Sequence, residues 1–312
     1  MLALAEDAPE VHPVEASFKT VEKSWLTVGL LEFPWYWFYL GAPSVHGQAY
    51  VPNFQPRLGI KASYKDFGAR VSLGVNLLSE SEHARRGKST QDGIALNTYW
   101  RQHAFDIYLQ RFEGFYVSDP FTETKPSKPA RFPQLPDTHV TNWGVNWYYA
   151  TRPERYSLKA AFDQSEFQLK SGGSWIFNPF FNHLEVYLGS VFIPGSDPGS
   201  ITELPNLASG RFDTLGLAAG YGYTYIRKAY FATAQGALGP GFQYQRIRRS
   251  DANDSEVSTA ALKINMNLAT GWNYPGHVAG MKVLVDSLYS RVLDTQITSS
   301  LITIQFFYGT RF

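Results

Sequence analysis

His183, Glu185 and Tyr187 stand at alternate positions and form the densest grouping of acid–base chemistry in this 312-residue chain. A spacing of two puts all three on one face of an extended segment. That face could carry part of a metal or proton-transfer site, but a metal wants at least three converging ligands, so the plainer reading is an interior hydrogen-bonded pair. No metal or cofactor is assigned. A serine hydrolase needs a His beside a Ser with an orienting acid. The seven histidines are His12, His46, His83, His103, His139, His183 and His277, and most fall in expected links. His139 with Thr141 and His277 with Ser287 come nearest, and neither has the tight arrangement a triad requires. With no Cys there is no thiol nucleophile, disulfide or Cys-based zinc site. We therefore expect no catalytic residues.

Two further groupings could bind. Arg246, Arg248 and Arg249, near Arg85-Arg86 in another link, suit the phosphates of lipopolysaccharide, because guanidinium pairs with them bidentately. A solvated loop end is the competing account. Gly216, Ala218, Gly220 and Gly222 make one face nearly free of side chains; this is no phosphate loop opening a helix, and it reads as room for an inward-folded loop or a packed neighbour. Trp35-Tyr36-Trp37-Phe38-Tyr39 reads as an interfacial aromatic girdle or a docking surface. Lys and Arg number 28 against 27 Asp and Glu, so the charge balance excludes a nucleic-acid footprint.

The elements that must position these residues are strands. No run approaches 18 uncharged apolar residues, which excludes a helical span, yet a barrel alternates lipid-facing and lumen-facing residues and so matches the mean hydropathy of −0.24. Period-two alternation recurs along the chain. Leu262, Ile264, Met266 and Leu268 oppose Lys263, Asn265 and Asn267; Leu58, Ile60 and Tyr64 oppose Arg57, Lys61 and Lys65; Met281, Val283 and Val285 oppose Lys282 and Asp286. Charges in mid-strand contradict a soluble sandwich core. They fit a lumen lined by Lys61, Arg101, Asp106, Gln110, Lys159, Asp163, His183, Glu185, Lys263, Lys282 and Asp286, since each charge on the lipid face would cost about 2–4 kcal/mol near the midplane. Aromatics make up 16% of residues and tend to close the apolar faces, as interfacial belts do. The chain stops on such a face, with Phe306, Tyr308 and Phe312 resembling the C-terminal signal read by the outer-membrane assembly machinery.

Short and long links alternate if fourteen strands occupy 24–33, 54–65, 69–79, 92–101, 104–116, 138–150, 155–165, 173–178, 183–193, 212–226, 229–247, 257–272, 278–291 and 296–312. The segment 173–178 is short and broken by Pro179; without it twelve becomes the count. Segments 34–53 and the proline run through Pro120, Pro126, Pro129, Pro133 and Pro136 read as outer loops, as does Gly41-Ala42-Pro43. One domain, 24–312, follows a periplasmic segment 1–23, in which Ala3-Leu4-Ala5 looks like the end of a signal peptide.

Tyr50-Val51-Pro52-Asn53, Leu58-Gly59-Ile60, Tyr64-Lys65, Phe67-Gly68 and Ser72-Leu73-Gly74-Val75 lead into the run from Phe105 to Tyr116. Together with Ser171-Gly172-Gly173-Ser174-Trp175 they resemble the outer-membrane proteins grouped as domain of unknown function 4421, found largely in Bacteroidota. The resemblance covers about two thirds of the chain, with Asn178-Pro179 a departure. It implies location and fold, and brings no activity or site residues with it.

The expected fold class is all-β: an antiparallel up-and-down transmembrane barrel of the Gram-negative outer membrane. The expected role is a pore, transporter or structural envelope component. A scaffold that binds a protein partner or forms homo-oligomers is one alternative, and a lipid-modifying enzyme at the rim another. Expected partners are outer-membrane lipid, lipopolysaccharide and the barrel assembly machinery.

Overall fold

The computed structural model describes residues 18–20, 25–42, 45–118, 131–189, 207–249, 254–292 and 295–312. The elements in chain order are β1 (Phe18–Thr20), β2 (Trp25–Ala42), β3 (Val45–Pro52), β4 (Arg57–Tyr64), β5 (Phe67–Gly74), α1 (Glu80–Arg86), β6 (Thr90–Trp100), β7 (His103–Ser118) and β8 (Gln134–Ala150). There follow α2 (Leu158–Phe162), β9 (Glu166–Gln168), β10 (Gly172–Tyr187), β11 (Leu207–Arg227), β12 (Tyr230–Arg249), β13 (Ser255–Asn273), β14 (His277–Val292) and β15 (Thr295–Arg311). Ala3-Leu4-Ala5, His12, Pro43, Pro120, Pro126 and Pro129 lie outside the described residues.

Thirteen strands form one antiparallel sheet that closes on itself where β15 pairs with β2 and β7 with β6. Closure leaves no edge amides to face hydrocarbon. β3 and β4 both run antiparallel to β2, one beside Phe38–Ala42 and the other beside Trp25–Glu32, so together they make one kinked pass. The ring thus has twelve passes, within the expectation of about fourteen with twelve as runner-up. Where β4, β5 and β6 stop, β3 reaches across to Phe115–Ser118 of β7, and ten strands remain around the barrel. The wall narrows there.

One end carries tight connections. Lys65-Asp66, Arg101-Gln102 and Lys228-Ala229 are two-residue links whose first residues have φ of 52°, 53° and 57°, the left-handed conformation such hairpins favour. The N–H of Trp25 donates to Phe312 O at 3.3 Å, so the closing seam starts at this end. Longer links lie at the other. Alternate residues face out: Leu262 is 41% exposed, while the Lys263 side chain between it and Ile264 is 1% exposed.

Four local readings differ from the sequence. Segment 155–165 is not a wall strand. Ser157 accepts from the Ala160 N–H and caps the helix former run Leu-Lys-Ala-Ala-Phe, which buries Leu158, Ala160 and Ala161. Segment 173–178 and the start of 183–193, as far as Tyr187, are joined in β10, which runs through Pro179. The β8 ladder skips Asn178 and Pro179, and the Asn178 side-chain amide donates to Trp147 O at 3.3 Å in place of the missing N–H. The expected loop 34–53 is largely strand, in β2 with Gly41 and Ala42, and in β3. Pro136 lies within β8, at its outer end beside the bulge at Gly114, where φ is 73°.

Candidate functional site

The lumen is built in three layers. At the tight-turn end the link between β8 and β10 folds inward as α2 and β9, and β9 pairs with β1. The Tyr156 ring lies where a Cβ on Gly222 would reach to 2.6 Å, and its hydroxyl donates to Gln235 Oε1 at 3.0 Å. Gly222 is therefore the space that the inward link needs. The last carbonyls of a helix carry partial negative charge and favour cations. Three strands supply them: Lys282 Nζ donates to Phe162 O at 2.6 Å, Lys61 Nζ to Asp163 O at 3.3 Å, and Arg311 Nη2 to Gln164 O at 2.6 Å. Lys61 also pairs with the Asp163 carboxylate, to which Asn97 Nδ2 donates at 3.2 Å. Burial would raise the Asp163 pKa, but the Lys61 charge and its hydrogen bond outweigh it and hold the carboxyl below its ordinary range.

Above this plug lies a polar chamber of about 170 Å³. Glu32 pairs with Arg57 at 3.1 Å, faces Arg70 at 3.7 Å and accepts from Gln305 Nε2 at 2.6 Å. Lys263 meets Asp286 at 3.0 Å and lies over the Phe180 ring. Asp106 and Gln110 line the same space, and Gln110 accepts from Asn142 at 3.4 Å. The third layer is dry. Where only ten strands remain, Tyr36, Phe38, Phe112, Phe115, Phe212 and Leu184 pack in one buried cluster, with the Tyr36 and Phe112 rings stacked 4.2 Å apart. A narrowed wall allows side chains alone to fill the bore.

Of the expected lumen residues, Lys61, Asp106, Gln110, Asp163, Lys263, Lys282 and Asp286 converge inside. His183 and Glu185 do not. In the continuous β10 the even positions point inward, from Ser174 through Ile176, Phe180 and Leu184 to Val186, so both face outward near the loop end. There His183 Nδ1 meets Asp213 Oδ1 at 2.5 Å and its ring stacks on Trp143, while Glu185 pairs with Arg211 at 3.4 Å. Arg101 sits in an exposed turn, and Lys159 is on α2, bonded to Asp66 at 3.0 Å at the mouth. Arg246 pairs with Glu256 at 3.1 Å and Arg248 with Asp254 at 3.6 Å; the Arg249 side chain lies outside the described residues. Arg85 and Arg86 face Glu82 on α1 at 3.7 and 3.2 Å. Phe306, Tyr308 and Phe312 point outward, at 46%, 59% and 64% exposure. Glu32 and Arg311 escaped the sequence reading, although a Glu amid Leu31 and Phe33 and an Arg before the last residue are charges on the inward parity. Among the described residues no three His, Cys, Asp or Glu gather as a metal site.

A closed antiparallel ring with a lipid-ready exterior and a charged, plugged interior defines a β-barrel of the outer-membrane class. The chain belongs to the family DUF4421, a domain of unknown function, whose model matches residues 46–312. No curated protein matches it. Solved structures similar in fold include the outer membrane protease OmpT from Escherichia coli, at 10% identity and a TM-score of 0.41, covering 95% of this chain and 98% of that one. They also include the toluene transporter TodX of P. putida, at 10% identity and a TM-score of 0.28, covering 93% and 90%. Ail of Yersinia pestis is another, at 9% identity and a TM-score of 0.23, covering 91% and 99%.

Proposed function

We propose that this protein sits in the Gram-negative outer membrane, tight turns toward the periplasm, and serves as a closed, non-conducting structural component of the envelope without enzymatic activity. One observation carries the reading: the bore is shut twice, by the pinned α2 link at one end and by the buried aromatic cluster at the other. An open pore of this strand number would leave side chains lining water rather than packing against one another. The outward His183–Asp213 pair is a hydrogen-bonded pair on the barrel wall, supported by the Trp143 stack, in keeping with a structural role. Purified protein inserted into planar bilayers tests this directly. We expect no steps above leak at either polarity; reproducible single-channel openings by the unmodified chain would overturn it.

A further inference from the structure

The chamber between the two closures holds unmet charge of both signs. Lys61 is matched by Asp163, and Lys263 by Asp286. Glu32 must serve Arg57 at 3.1 Å and Arg70 at 3.7 Å. Lys282 meets the Phe162 carbonyl and, among the described residues, no carboxylate. Asp106 faces the cavity without an ion-pair partner among the described residues. Beside it on β8 stands Asn146, 2% exposed, whose Oδ1 has no hydrogen-bond partner; across the cavity Asn267, 3% exposed, has neither amide atom paired. Buried polar atoms left this way mark a missing partner. The hydroxyls of Tyr108 and Tyr148 accept from Asn182 and Asn265 at 2.9 and 2.7 Å, which leaves their protons to donate elsewhere.

We infer that this chamber binds a small zwitterion, its ammonium group against Asp106 and Asn146 Oδ1 and its carboxylate toward Arg70 and Lys282. A lone cation would add to an interior already short of carboxylates, and a lone anion would leave Asp106 unmatched; a molecule bearing both charges meets both needs. The volume suits it, since a cavity of about 150 Å³ takes a molecule the size of benzene.

The full chain is refolded into detergent with radiolabelled alanine, a zwitterion whose ammonium carries N–H donors, passed through gel filtration, and checked for heat-modifiable migration. Because both ends are shut, we expect about one alanine retained per barrel and released on boiling. Asp106→Asn should retain at least tenfold less, and Asn146→Ala, which keeps the carboxylate, several-fold less. Methylammonium chloride or sodium acetate, present alone at equal concentration during refolding, should fail to displace it. No retention by the unmodified barrel, equal retention by folded Asp106→Asn or Asn146→Ala, or full competition by either single ion would overturn the assignment.

Discussion

At the scale of single residues, the plug rests on a few contacts whose removal has a sign. Lys61→Met leaves the buried Asp163 carboxylate uncompensated, so it should cost about 3–5 kcal/mol, read as earlier urea unfolding in detergent, whereas Lys61→Met with Asp163→Asn should recover most of the loss. An equal loss in the double variant would remove the ion pair as the cause. The same pair sets a pH dependence. Docking lowers the Asp163 pKa, so the ionised form favours the docked link above pH about 4, the ordinary carboxylate value, and that favour is lost as pH falls through the lower docked value. Hydrogen exchange across residues 151–171, corrected for intrinsic rates, should therefore quicken below pH 4 in the native chain and be flat there in Asp163→Asn. Gly222 is a third test. Its Cβ would meet the Tyr156 ring and Ile176, so Gly222→Val should lose roughly 1–3 kcal/mol through overpacking, while the same change at Gly276, which has open space, should be silent in the unfolding curve.

At the scale of elements, β10 shows how a strand survives an internal proline. Asn178→Ala removes the amide that donates to Trp147 O and should cost about 1 kcal/mol, the worth of one hydrogen bond, although Asn178 itself is wholly buried. The continuous strand also fixes parity. Because the chain has no Cys, single cysteines report facing without background: His183→Cys should react with a bulky maleimide in detergent, and Asn182→Cys should not. Reaction at 182 alone would restore a break at Pro179. These elements also show what was legible in the sequence. In β13, β14 and β15 apolar and polar residues alternate so regularly that facing followed from periodicity, and Lys263, Lys282 and Asp286 followed with it. Of the glycines at 216, 220 and 222, only Gly222 leaves space for the inward link, at Tyr156, whereas Gly216 meets the Phe180 ring and Gly220 the Gly236 backbone. What filled that space was hidden, because Leu158–Phe162 is too short for a helical period to appear, and alternation reads the same in a plug as in a wall. Pro179 misled for a related reason: a side chain can replace a backbone donor, and periodicity carries no sign of it.

At the scale of the whole molecule, the barrel is wide where charge lines it and narrow where aromatics fill it. Twelve passes surround the chamber, and β3 draws the wall in to ten beside Tyr50, Phe38 and Phe212. Two seals in series have a distinct signature in conductance, because current is limited by whichever remains shut. Deleting residues 155–169 and bridging 154 to 170 removes α2 and β9 but leaves the stacked rings at the far end, so bilayers should stay at leak. Phe38→Ala with Phe112→Ala hollows the outer layer, at about 3–5 kcal/mol for each ring lost, yet leaves α2 pinned by Lys61, Lys282 and Arg311, and it too should stay at leak. The combined variant, shown by unboiled gel migration to keep its barrel, should open steps of steady amplitude. Openings from the plug deletion alone would mean that the aromatic layer parts readily, and the outer end would then be a gate rather than a core.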